Sequence, residues 1–207
     1  MRLFTRFLAH FLAFCALTLV AACGGDPAPS PAAKEGPALW QVQRGDMKGW
    51  LFGTIHVLPK GVAWETPTIR AAMAKADRLV LEAADLQDEE KTLALFESMG
   101  RSPGLPPLEA RVPDKEKAAL DKAISDGGTS TQILSGYESW AAAMLLSAAT
   151  QQGLGVSQDD GVEPVLIAAF TKAGKPIGGL ETIERQFGAF DTLPQAAQSR
   201  LLVQTVH

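Results

Sequence analysis

The hydrophobic and polar positions change period several times along the chain. Leu39 to Arg44 alternates apolar and polar, the period of a half-buried strand. Gly45-Asp46 is a turn signal, and Met47 to Ile55 reads as the returning strand of a hairpin. From Thr66 to Ala76 the period becomes helical, with Thr66 as N-cap and Pro67 in the first turn. Ile69, Met73 and Ala76 then share one face. Leu79-Val80-Leu81 is a short apolar run, the mark of a buried strand, and it ends in Glu82. Gln87 to Met99 reads as a helix. The prolines of Pro103 to Pro113 deny that stretch helix hydrogen bonds. Helices are expected at Asp114 to Ser125, Tyr137 to Gln151, Val162 to Lys172 and Pro194 to Val206, and a strand at Pro176 to Glu181. Strands separated by helices predict an α/β fold: a mixed sheet opened by an N-terminal β-hairpin, with helices packed around it.

The first 37 residues follow a different logic. Arg2 and Arg6 precede an almost wholly apolar run, Phe7 to Ala22, too short to span a bilayer as a helix. Small residues then lead into a cysteine, Val20-Ala21-Ala22-Cys23. That order predicts a lipoprotein signal peptide over 1–22 and lipid attachment at Cys23; ordinary signal cleavage and an uncleaved anchor are the alternatives. Cys15 leaves with the signal, so Cys23 has no partner for a disulfide in an exported protein. Gly24, rather than Asp, follows Cys23, which predicts an outer-membrane protein facing the periplasm. Residues 23–37 are rich in Pro, Gly, Ala and Ser and read as a flexible tether. Residues 38–207 are long enough for one domain.

Charge narrows the partners. The net charge is -4 and becomes more negative once Arg2 and Arg6 are removed, and no basic stripe is present, so nucleic acid is an unfavourable partner. The P-loop, the His-Glu-x-x-His zinc motif, the Gly-x-Ser-x-Gly elbow and the dinucleotide fingerprint are all absent from the sequence.

Candidate chemistry gathers at strand ends, where open α/β sheets place ligands. Gly53-Thr54-Ile55-His56 ends the hairpin in a histidine that is either a ligand or an ordinary hydrogen-bonded side chain. Glu82 leaves a buried strand, and either coordinates or turns to solvent. Glu163 follows Gly161-Val162 at a helix N-terminus, where the helix dipole alone accounts for a carboxylate. Glu181 ends Gly178-Gly179-Leu180 in the manner of Glu82. Convergence of these strand ends at one edge of a shared sheet would assemble a His-plus-carboxylate set suited to a divalent metal. Asp159 and Asp160 read as a solvated loop.

These segments carry a resemblance. Pro37-Ala38-Leu39-Trp40, Leu51 to Pro59 around His56, Leu79-Val80-Leu81-Glu82, Asp160-Gly161-Val162-Glu163 and Gly179-Leu180-Glu181-Thr182 together resemble the TraB/GumN family, which is related to Tiki-type membrane metalloproteases. The resemblance implies metal-dependent peptide hydrolysis with His56 and Glu82 as catalytic residues; on that reading a divalent ion such as Mn, Co or Zn would be held by His56 and Glu82, with Glu163 and Glu181 completing or orienting its shell. It implies a peptide substrate, alongside membrane attachment through Cys23. The family pattern runs on beyond the length of this chain to a second Gly-x-x-His. Here Thr205-Val206-His207 is not such a motif, so the C-terminal part of the family fold is expected to be missing. The competing expectation is a non-catalytic, periplasm-facing lipoprotein that binds a peptide or a polysaccharide component.

Overall fold

The computed structural model describes residues 36–207. The signal segment, Cys23 and the tether up to residue 35 lie outside the described residues. Six strands and eight helices follow in the order β1 (Leu39–Arg44), β2 (Met47–Phe52), β3 (Leu58–Pro59), α1 (Pro67–Lys75), β4 (Leu79–Ala83), α2 (Glu89–Gly100), α3 (Lys117–Asp126), α4 (Thr131–Ser135), α5 (Ser139–Gly153), β5 (Val156–Ser157), α6 (Val162–Lys172), β6 (Ile177–Glu181), α7 (Ile183–Asp191) and α8 (Gln195–Thr205). The α/β class and the opening hairpin are as expected. Hydrogen bonding divides the strands of the described residues into three pairs: antiparallel β1–β2 and β3–β5, and parallel β4–β6.

The hairpin closes through Gly45, whose φ of 59° suits the first position of a two-residue II′ turn. Thr66 caps α1 as the sequence indicates, accepting the Ile69 N–H at 3.2 Å. Asp88 does the same for α2, accepting the Lys91 N–H at 3.0 Å. Two helices escape the sequence reading. One is α4, capped by Ser130. The other is α7, capped by Thr182, which buries Ile183, Phe187 and Phe190 at helical spacing.

The larger core surrounds α5. This helix is buried nearly all round, from Ser139 to Ala149. Its alanines let neighbours approach closely: a Cβ on Gly100, at the end of α2, would stand 2.9 Å from the Ala141 Cβ. Trp140 is surrounded by Phe96, Phe187 and Phe190, with ring centroids 5.6, 6.0 and 6.4 Å away. Full burial of each Leu, Ile or Phe here contributes about 1.5–3 kcal/mol.

A second, smaller core carries the site. Leu58, Trp64, Ile69, Val162 and Leu166 are buried together, with Leu39, Phe52, Met73 and Leu79 packed against them. Phe52 meets Trp64 with ring centroids 5.9 Å apart. This cluster fastens the hairpin, α1, β4 and α6 to one another.

Candidate functional site

The chain leaves β2 through Gly53, whose N–H donates to the Ala38 carbonyl at 3.0 Å and adds one more rung to the hairpin. Two residues on, the Ile55 carbonyl accepts the Val162 N–H at 3.2 Å, one of the donors that the start of a helix leaves over. That bond docks the segment on the first turn of α6. Thr54 and His56 stand two apart on this segment, past the end of β2, with His56 at a bend. Both reach Glu163 in that turn.

Glu163 Oε1 accepts the Thr54 hydroxyl and lies 2.8 Å from His56 Nδ1. Glu163 Oε2 is buried and has no hydrogen-bond partner in the protein. The hydrogen bond to Glu163 raises the His56 pKa above its ordinary 6.5, against the opposing pull of burial; the charges of Glu163 and Glu82 add to the rise. Burial pushes the Glu163 carboxyl up, yet the hydrogen bonds and charge of His56, with Thr54, hold it below the usual range. Glu82 is raised by burial and by the charges of Glu181 and Glu163, with His56 opposing. Glu82 therefore lies in the fields of His56, Glu163 and Glu181, and it holds its proton more tightly than an ordinary glutamate.

The placement differs from the expected shared edge. His56 belongs to the hairpin exit and is delivered by α6, not by the sheet that carries the glutamates. Glu82 and Glu181 do lie on paired strands, but the register sets Glu181 opposite Ala83. Strand alternation then sends Glu82 and Glu181 to opposite faces. Glu181 accepts from Gln186 at 3.0 Å and lies 3.7 Å from the Arg185 guanidinium, both on α7. His207 sits elsewhere, 2.6 Å from Glu116. The central contact is thus His56–Glu163, for which the helix dipole had seemed explanation enough. Thr54 joins it as a donor; its signal was the i, i+2 spacing with His56.

A titration tests the contact. In metal-free protein the His56 ring should titrate above 6.5 by NMR, and Glu163→Gln should lower the value by removing the carboxylate's charge, and with it the charge-assisted hydrogen bond, while leaving the burial. Folded His56 holds its proton more tightly than the unfolded chain. Its contribution to stability is therefore full below 6.5 and lost as pH rises through the raised folded value. Glu163 works the other way: its share is present above 4.5 and lost as pH falls through the lowered folded value. The pair stabilises most in the mildly acidic window between them. An unchanged His56 titration in Glu163→Gln would contradict the geometry.

Imidazole and carboxylates are ligands for borderline and hard divalent cations, and the orphaned Oε2 of Glu163 is an acceptor still awaiting a partner. Among the described residues, no three His, Cys, Asp or Glu side chains stand close enough to grip an ion as they are. The donors fit a divalent ion in kind, with His56 and Glu163 as a formed pair and Glu82 as the further carboxylate.

The chain is similar to other proteins over most of its length. The uncharacterized protein YbaP of Shigella flexneri is 27% identical over 158 residues, covering 76% of this chain and 57% of that protein. The uncharacterized protein YbaP of Escherichia coli (strain K12) is 26% identical over 170 residues, covering 75% of this chain and 62% of that protein. The matched part is thus less than two thirds of either relative's length. No solved structure matches the chain. The TraB/PrgY/gumN family pattern matches residues 38–207, from just before β1 through α8, and the chain belongs to that family.

Proposed function

We propose that the chain is a metal-dependent hydrolase of peptidase type, held on a membrane by lipid at Cys23 and facing the periplasm of a two-membrane bacterium. The observation that carries this reading is the Thr54–Glu163–His56 arrangement, with one buried carboxylate oxygen left over. His56 and Glu163 would hold a divalent cation such as Mn, Co or Zn, with Glu82 beside them. When bound, such a cation supplies Lewis-acid activation of water and of a peptide carbonyl. Thr54 fixes the Glu163 carboxylate, and Glu163 fixes the imidazole, so the pair is oriented before substrate arrives. Glu82 stands ready to take a proton from the attacking water and return it to the leaving amine.

Metal titration of the purified chain, followed by calorimetry and elemental analysis, tests the reading. One equivalent of Zn, Mn or Co should bind, His56→Ala should abolish binding, and peptide cleavage should depend on the added ion. Wild-type protein that binds none of these ions overturns it.

One observation favours a second reading. Glu163 Oε1 is shared by Thr54 and His56, which closes the group on itself as a clasp between hairpin and helix. Such a clasp suits a non-catalytic lipoprotein that binds a peptide or polysaccharide component above it. Ligand binding without cleavage, unaffected by added metal, would select this reading.

A further inference from the structure

The hairpin has two unlike faces. Cross-strand partners share a face, so the register Leu39↔Phe52, Gln41↔Trp50 and Gln43↔Lys48 defines one side, and its Leu39 and Phe52 end packs on the smaller core. The other side carries Trp40↔Leu51, Val42↔Gly49 and Arg44↔Met47. On that side Trp40 is 59% exposed, Leu51 60%, Met47 69% and Val42 44%. A Cβ on Gly49 would meet the Val42 side chain at 3.3 Å, so Val42 lies across the bare glycine and widens the apolar surface. An open hollow near the tip is lined by Val42, Gln43, Arg44, Met47, Lys48 and Gly49. Arg44 and Lys48 at the tip are both exposed, against the single carboxylate of Asp46. The hairpin tip is therefore cationic on a chain whose net charge is negative.

We infer that this face of the hairpin lies in the headgroup layer of an anionic phospholipid bilayer, the one to which the chain is attached. This rests on the lipid-anchor part of the proposed function. Three physical arguments support the bilayer as occupant. Tryptophan favours the membrane–water boundary, where its ring is buried and its N–H stays wet. Each Lys or Arg near an anionic surface contributes about 1 kcal/mol of attraction; Arg44 shares the apolar face, and Lys48, on the other side of the register, adds positive charge at the tip. Position supplies the third. Gly36 opens the described structure just before β1, and it is thirteen residues from Cys23. Even fully extended, that stretch reaches at most about 45 Å. The hairpin is the first described element after Cys23 in the sequence, so a face too weak to bind a bilayer from free solution meets it at high effective concentration.

The experiment uses the full chain purified from membranes and reconstituted in phosphatidylethanolamine–phosphatidylglycerol vesicles with brominated acyl chains. Bromine quenches tryptophan at the bilayer surface. Trp40→Phe should remove most of the quenched fluorescence, and Trp50→Phe, on the opposite face, should remove little. Reversing Arg44 and Lys48 to Glu should weaken the contact about fivefold or more per residue, an effect that high salt mimics. Quenching unchanged by Trp40→Phe would overturn the inference. So would a dimer that Trp40→Ser with Leu51→Ser converts to monomer while bromine quenches nothing, because a second copy would then be the occupant. The mass of the Cys23 adduct separates the two ideas. If no lipid is attached, the anchor reading fails, and the hairpin is tested by sedimentation of the chain with phosphatidylglycerol vesicles alone. Binding lost in the Trp40→Ser, Leu51→Ser variant supports the inference, and no binding by the wild type overturns it.

Discussion

Trp140→Ala should lower the unfolding free energy by about 3–5 kcal/mol, the range for removing a large buried aromatic. Trp140 is fully buried in α5, among Phe96, Phe187 and Phe190. Its indole N–H donates to Asp191 Oδ1 at 3.3 Å, and its backbone N–H donates to Gln198 Oε1 at 3.4 Å. Truncation opens a cavity where α2, α5 and α7 meet and leaves Asp191 without its indole donor. Against a typical total of about 5–15 kcal/mol, such a loss takes the protein close to unfolding at ambient temperature. Urea unfolding should show a lowered midpoint with an unchanged slope. Trp40→Ala is the control: its exposed side chain should change stability by no more than about 0.5 kcal/mol. Equal losses at the two positions would mean that α5 is not the centre of the core.

Glu82→Gln should slow peptide cleavage by about 10²–10⁴-fold, the usual contribution of a general base. The substitution keeps shape and removes proton affinity. Glu82 suits the role because, although its side chain is exposed, partial desolvation and the charges of Glu181 and Glu163 raise its pKa against the opposing charge of His56, so its carboxylate binds a proton more readily than an ordinary one. The acidic limb of the rate profile should accordingly lie at higher pH than a normal carboxylate would give, and Glu82→Gln should erase it. Metal affinity should fall far less than in His56→Ala. Stability should hold or rise slightly, because a carboxylate with a raised pKa favours folding less as pH increases through that value. A variant that cleaves at the wild-type rate removes Glu82 from the mechanism.

The fold was legible where periodicity was long and capped. Val162 to Lys172 is a helix in both readings, since Val162, Leu166 and Phe170 repeat at helical spacing and Gly174 follows. The hairpin was legible from alternation around Gly45-Asp46. Helix α7 was written in Ile183, Phe187 and Phe190, but two and a half turns beside Gly188 make a faint signal. The two-residue strands β3 and β5 carry no period at all. The site was legible as residue types, His56 and the glutamates at element ends. Its wiring was not. Glu163 stood explained by the helix dipole, and nothing along the sequence says that residue 163 meets residue 56. Only the docking of Ile55 on the start of α6 brings them together, a long-range event that local patterns do not encode. Glu181 looked equivalent to Glu82 by motif, and the register, a property of the pair of strands, set them on opposite faces.

That docking has a consequence for the order in which the molecule forms. The helical core is itself partly long-range, since Phe96 of α2 meets Phe187 of α7 with ring centroids 5.8 Å apart. The Thr54–Glu163 bond joins residues 109 apart, and β4 pairs with β6 only after the helices between them have been laid down. Loop-closure entropy is unfavourable for both until the intervening chain is compact. The clasp therefore forms together with the long-range core contacts and not with the local ones. Amide exchange at Val162, whose N–H is held by the Ile55 carbonyl, should read any parting of the hairpin from α6 against exchange within α5.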